Sequence, residues 1–212
     1  MTIYGISGLG ADERVFEYLD LACDFVPLRW IDPYRKESMI AYAKRFANNI
    51  NQKEAFGILG VSFGGIVAVE MSKILHPKVT ILISSAETKF ELPKIYRLAG
   101  KLKIIPLIPT FLFDPPRKLA HFLFGTQQKK LLNAILDDTD LKFAKWAIHQ
   151  LSNWRNEDNI NNCLKISGKS DKLIPPFLDD RTVLIDKGEH FMIVDKAEEV
   201  SKIINQKLRT II

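Results

Sequence analysis

Cysteine is scarce, with only Cys23 and Cys163 in 212 residues. Both sit in apolar segments without metal-ligand spacing, so they read as reduced core residues. Long hydrophobic runs are missing too. Ile104 to Phe113 is conspicuously apolar, but Pro106 and Pro109 break it and it is too short to span a bilayer. No basic-then-apolar leader stands ahead of the first strand-like run, and a cytoplasmic location is the expectation. Neither a P-loop nor a dinucleotide fingerprint occurs, since Gly57, Gly60, Gly64 and Gly65 lack the G-x-G-x-x-G spacing. Internal repeats and low-complexity tracts are absent. The net charge of +5 is mild, and the positive residues are not interleaved with aromatics in a nucleic-acid motif, so neither DNA nor RNA is expected as a partner. What remains is a chain with 47% hydrophobic residues, long enough to bury one substantial core.

The most informative segment is Gly60-Val61-Ser62-Phe63-Gly64-Gly65. It lies where the apolar run Ala55 to Leu59 gives way to a helical pattern beginning at Ile66. A strand, a very tight turn and a helix form a nucleophile elbow. The turn strains the central residue and crowds the positions two before and two after it, so both must be small. Here they are Gly60 and Gly64, and Ser62 is the residue presented for attack. G-x-S-x-G alone also describes ordinary glycine-containing turns. A nucleophilic serine needs a base, an orienting acid and an oxyanion site as well.

Four histidines could supply the base. His76 ends the helix after Ser62, where a cation suits a helix C-terminus. His121 and His149 lie in amphipathic stretches and read as structural. His190 follows the strand Thr182–Ile185 on the loop 186–192, and a loop leaving the carboxyl end of a strand is where an α/β sheet keeps its site residues. Asp195 and Glu198 just beyond have capping-box spacing. Asp171 leaves the carboxyl end of the preceding strand, Cys163–Ser167. An Asx-turn would explain it, but the chain order Ser62, Asp171, His190 favours the acid of a triad over the competitor Glu87, which follows the strand Val79–Ser84.

Along the chain, short apolar strands alternate with helices, as expected of right-handed βα units and a parallel sheet. The expected strands are Thr2–Ile6, Asp24–Leu28, Ala55–Leu59, Val79–Ser84, Cys163–Ser167 and Thr182–Ile185. Asp12 reads as a helix N-cap, and Ile40, Ala43, Ala47 and Ile50 recur at helical spacing. Ala197, Val200, Ile204, Leu208 and Ile211 form the buried stripe of a last helix. Pro27 suits an edge strand.

On the elbow, the loop 168–175 with Asp171, and Gly188-Glu189-His190-Phe191, the chain resembles the α/β-hydrolase superfamily over nearly its whole length. The resemblance implies an α/β fold with a mostly parallel sheet and helices on both faces. Relatives usually begin with two further strands; this chain opens on the strand before the oxyanion loop, so a minimal version with about six strands is expected. The resemblance also implies an oxyanion hole built from two backbone N–H groups. One comes from Phe63 and one from the loop Ser7-Gly8-Leu9-Gly10, with Leu9 the donor by position and Gly10 the alternative.

Between residues 86 and 160 the βα rhythm stops. Helical stretches near 93–103, 116–124, 127–136 and 141–154 are expected to form a lid within a single domain of residues 1–212. Within it Leu107, Ile108, Phe111, Leu112, Phe122 and Phe124 are candidates to line an acyl- or aryl-binding pocket, against the plainer reading that they pack the lid onto the core. The lid is basic, which fits a solvated face, or less commonly attraction to an anionic substrate or lipid surface. The reaction this implies is hydrolysis of a small-molecule carboxylic ester or thioester by Ser62, His190 and Asp171, with no metal or organic cofactor. The superfamily also includes lyases and C–C bond hydrolases with the same triad, and binding proteins without activity.

Overall fold

Six apolar runs become the strands of one sheet in the computed structural model, which describes residues 1–211. They are β1 (Thr2–Ile6), β2 (Asp24–Leu28), β3 (Phe56–Val61), β4 (Thr80–Ile83), β5 (Cys163–Gly168) and β6 (Thr182–Ile185). Every neighbouring pair is parallel, in the order β2-β1-β3-β4-β5-β6. Parallel strands need crossovers, and helices supply most of them. α1 (Met39–Phe46) connects β2 to β3, and α2 (Phe63–Leu75) connects β3 to β4. Between β4 and β5 come α3 (Lys94–Lys101), α4 (Arg117–Phe124), α5 (Lys129–Asp137) and α6 (Leu141–Asn153), with 3-10 turns at Ile105–Leu107 and Thr110–Phe113. A single turn, α7 (Met192–Asp195), and the long α8 (Ala197–Arg209) follow β6.

β3, β4 and β5 are buried along their whole length, so β3 and β4 read as nearly continuous apolar runs, while β5 buries Lys165 by pairing it with Glu91 and Asp179. The period of two sorts their side chains to opposite faces. Tyr4, Ile6, Ile58 and Leu82 pack with Tyr42 and Phe46 of α1 and Val67 of α2. Ile3, Leu59, Ile81, Ile83 and Ile166 pack with Val200, Ile204 and Leu208 of α8. β2, at one of the two edges, is mostly exposed and carries Pro27 opposite Gly5.

Five local expectations need correction. Asp12 caps only a 3-10 turn, Glu13–Phe16, accepting a hydrogen bond from the Arg14 N–H. In α1 the buried residues are Met39, Tyr42, Ala43 and Phe46, and Ile40 is exposed. Two aromatic rings carry more apolar area than one isoleucine, so the helix turns them inward. α2 begins at Phe63, three residues before Ile66, because the elbow runs straight into the first helical turn. The capping box at Asp195 and Glu198 does not form: Asp195 is already in α7, and Lys196 holds the N-cap of α8 without a side-chain bond. Ala197 and Ile211 are only partly buried at the ends of the α8 stripe.

The chain moves from β1 outward to β2 and then crosses back to β3, so the direction of progression reverses between β1 and β3. Ligands bind at such switch points, outside the carboxyl ends of the strands. Ser7-Gly8-Leu9 leaves β1 there, and Ser62 leaves β3 there.

Candidate active site

Ser62 sits between the end of β3 and the start of α2 with φ 51° and ψ −122°, a conformation that side-chain-bearing residues rarely adopt. Its N–H donates to the Ile83 carbonyl at 2.9 Å, which fixes the turn against β4. A Cβ on Gly60 would lie 2.4 Å from the Cα of Gly65. One on Gly64 would lie 2.1 Å from the carbonyl oxygen of Ser7. The small residues around the serine are therefore demanded by backbone on both sides.

Asp171 and His190 come from the loops after β5 and β6, and these loops are laced together. Ser170 N–H donates to the Gly188 carbonyl at 2.9 Å, and Lys169 N–H to the Ile185 carbonyl at 3.1 Å. Oδ1 of Asp171 accepts the N–H groups of Leu173 and Ile174, each at 2.9 Å, so the carboxylate is held from behind by its own loop. His190 Nδ1 lies 2.8 Å from Oδ2 and 3.0 Å from Oδ1 of Asp171, and Nε2 lies 2.9 Å from Oγ of Ser62. A carboxylate can only accept, so Nδ1 carries the hydrogen and Nε2 is left to accept from the serine hydroxyl. Asp171 and His190 are both buried.

Glu87 is elsewhere. It is fully buried and takes both Nη atoms of Arg181, at 3.0 and 2.7 Å, and the Ile160 N–H at 2.7 Å. Its capacity is spent on holding the chain segments that flank β5 and β6. The other histidines stay outside the site: His76 is the left-handed C-cap of α2, His121 pairs with Asn133 at 2.7 Å, and His149 lies beside Gln150.

Gly8 and Leu9 face Ser62 across the same cavity, whereas Gly10 lines a separate cleft with Thr139 and Asp140. Neither the Leu9 nor the Phe63 N–H donates to a protein acceptor among the described residues. Leu9 and Phe63 line the same cavity as Ser62.

Above Ser62 lies a cavity of about 240 Å³. Leu132, Ile135 and Leu136 of α5 line it, as do Ile148 and Leu151 of α6, Tyr96 of α3, Phe124 at the end of α4, and Leu173 and Ile174. No Asp, Glu, Lys or Arg is among its lining residues. The Tyr96 hydroxyl donates to the Leu173 carbonyl at 2.9 Å. Burial, and then the nearby charge of Asp171, push that phenol above its ordinary pKa, so it stays a neutral donor.

Of the six lid residues expected at the pocket, only Phe124 is there, its ring edge-on to His190 with centroids 5.5 Å apart. Leu107, Phe111, Leu112 and Phe122 are exposed at the surface, and Ile108 is half-buried away from the cavity. The apolar run 104–113 forms two 3-10 turns on the outside of α6, so α6 stands between it and the site. The lining residues of α5 and α6 recur at helical spacing, a signal of a buried face but not of a cavity.

No protein-family model matches the chain, and no curated protein matches it. Solved structures do. A thermophilic esterase from Thermogutta terrifontis aligns with a TM-score of 0.72 and 16% identity, covering 100% of this chain and 90% of that one. A lipase-esterase related protein from Clostridium acetobutylicum aligns at 0.68 and 16%, covering 97% and 93%. A meta-cleavage product hydrolase from Pseudomonas fluorescens aligns at 0.69 and 14%, covering 99% and 91%. With a six-stranded parallel sheet, a strained serine after β3 and full-length alignment to these structures, the chain has the α/β-hydrolase fold.

Proposed function

We propose that the protein is a serine hydrolase acting on a carboxylic ester or a related acyl compound such as a thioester. The observation that carries this reading is the unbroken line Asp171–His190–Ser62, with contacts of 2.8 and 2.9 Å, opening into an apolar cavity. His190 Nε2 takes the proton of Ser62 as Oγ attacks the carbonyl carbon. The oxygen of the tetrahedral intermediate takes up negative charge and is met by the N–H groups of Leu9 and Phe63. His190 returns the proton to the leaving group, and an acyl-enzyme remains on Ser62. Water, deprotonated by His190, then attacks the acyl carbon, and the acid departs as Oγ regains its proton. Asp171 keeps the imidazole in the productive tautomer and stabilises its charge.

The α3–α6 segment acts as a lid, with α5 and α6 roofing the serine and excluding water from it. Two contacts couple the end of α4 to the base: Phe124 against the His190 ring, and the Phe191 N–H donating to the Phe124 carbonyl at 3.1 Å.

A fluorophosphonate probe tests the reading directly. The wild type is expected to be labelled and to turn over p-nitrophenyl esters, and Ser62→Ala to do neither. Labelling without turnover on a broad panel of esters and thioesters would overturn the hydrolase.

A further inference from the structure

The outer side of the segment between β4 and α4 carries side chains that neither the core nor the cavity uses. Helix α3 turns Ile95 and Leu98 outward, its C-cap Leu102 continues the spacing, and all three are exposed. The 3-10 turns beyond it add Leu107, Phe111 and Leu112, with Leu107 82% exposed. α3 and both turns pack along α6, and Lys145 on that helix ties the turns down through the carbonyls of Pro106 and Ile108, at 2.9 and 2.7 Å. These apolar groups are therefore carried on one supporting helix, and all of them face water. Clusters of this extent mark binding surfaces.

The same layer is positive. Lys94, Arg97, Lys101 and Lys103 line, with Ile95 and Leu98, a surface groove of about 860 Å³ whose lining contains no Asp or Glu. The Nε of Arg97 has no protein hydrogen-bond partner. The acids of this stretch are committed elsewhere: Glu87 to Arg181, Glu91 to Lys165 and Asp114 to Arg117.

We propose that this face binds the surface of an anionic lipid bilayer. The apolar groups enter the boundary between headgroups and acyl chains, while the cations sit among the headgroup phosphates and carboxylates. The side chains discriminate among occupants. A second copy centred on the groove by a two-fold axis would set cation against cation, and the one carboxylate among the described residues bonded to a groove-lining cation, Glu157, is already paired with Lys89. Nucleic acid would find one ring to stack on, Phe111, among these six apolar groups, the other five being leucine or isoleucine. No helix among the described residues is long and apolar enough to cross a membrane, so the contact is one of docking.

Flotation with phosphatidylcholine vesicles, with and without phosphatidylserine and at low and high salt, tests this. The wild type should float with phosphatidylserine vesicles and be released by salt. Leu107→Ser/Phe111→Ser should weaken partitioning at least about tenfold, and Lys94→Glu/Lys101→Glu/Lys103→Glu more than about a hundredfold. These side chains lie outside the core, so both variants should keep the wild-type Tm. Failure of the wild type to float, or flotation that neither variant changes, overturns the proposal. So does a concentration-dependent dimer that the apolar variant abolishes in a protein that never floats. Ser62→Ala should float like the wild type, so this result and the fluorophosphonate result can fail independently.

Discussion

Asp171 holds His190 through Nδ1 at 2.8 Å while its other oxygen takes two backbone N–H groups from the loop that carries it. The carboxylate thus has little freedom, and its charge is directed at one imidazole. Asp171→Asn keeps the shape and can still accept the Leu173 and Ile174 N–H groups, but it presents an amide to Nδ1 and favours the wrong tautomer. Turnover of p-nitrophenyl esters should fall by about 10⁴-fold with Tm little changed. Glu87→Gln should do the reverse. It strips a buried charge from Arg181, so Tm drops by several degrees while the folded protein keeps near-normal turnover. An exchange of the two phenotypes would reassign the acid.

A Cβ on Gly64 would meet the carbonyls of Ser7 and Ile6, both in the backbone that leads into the proposed oxyanion loop. Neither can yield as a flexible side chain would. Gly64→Ala should force the β1 loop away from Ser62 and separate Leu9 N–H from the reacting oxygen. Overpacking of this kind costs about 1–3 kcal/mol. Displacement of about 1 Å at a reacting centre costs about 10²-fold in rate. Fluorophosphonate labelling should slow by that order in the fraction that remains folded, and labelling at the wild-type rate would remove the loop from the oxyanion site.

Glu37 links α1 to the roof of the cavity. Its carboxylate takes Arg45 Nε–H at 3.0 Å and Nη2–H at 2.8 Å, and its carbonyl takes Trp146 Nε1–H from α6 at 3.0 Å. The hydrogen bonds from Arg45 hold the carboxyl below its ordinary pKa. A depressed folded-state value means a stabilisation that is fully present above the unfolded pKa and is lost as pH falls through the folded one. Thermal unfolding across pH should therefore show Glu37→Gln below the wild type at neutral pH, with the two curves converging in acid below the carboxylate range. A constant gap at all pH values would mean that the charge contributes nothing.

The sheet and the line from Ser62 to Asp171 were legible because their constraints are local. An elbow needs small residues at fixed offsets from its centre, and loops leaving strand ends can be found from the strands alone. The cavity was not legible. Leu132, Ile135 and Leu136 have the spacing of any core-facing helix, and nothing in that pattern distinguishes packing against a sheet from roofing a void. The run 104–113 misled for the opposite reason. Apolar content implies that a segment seeks cover, and Leu107, Phe111 and Leu112 have none within this chain. The capping box at Asp195 failed because a four-residue turn, too short to leave a periodic signal, had already taken the residue up.

The cavity's size bears on the acyl group. An apolar cavity of roughly 150 Å³ holds a six-carbon ring, so about 240 Å³ accommodates a chain of roughly eight to ten carbons. Without a charged residue in its lining, it offers nothing to a dicarboxylate or an amino acyl group. Across p-nitrophenyl esters, kcat/KM should rise by up to about fourfold for each methylene added and stop rising once the cavity is full. Ile148 lines the void from α6 and is only partly buried, so a larger side chain there fills space without crushing the core. Ile148→Trp should shift the optimum toward shorter chains and leave acetate turnover nearly unchanged. Equal loss at every chain length would show that the indole disturbs the serine itself, and an unmoved optimum would place the acyl chain somewhere other than beneath α6.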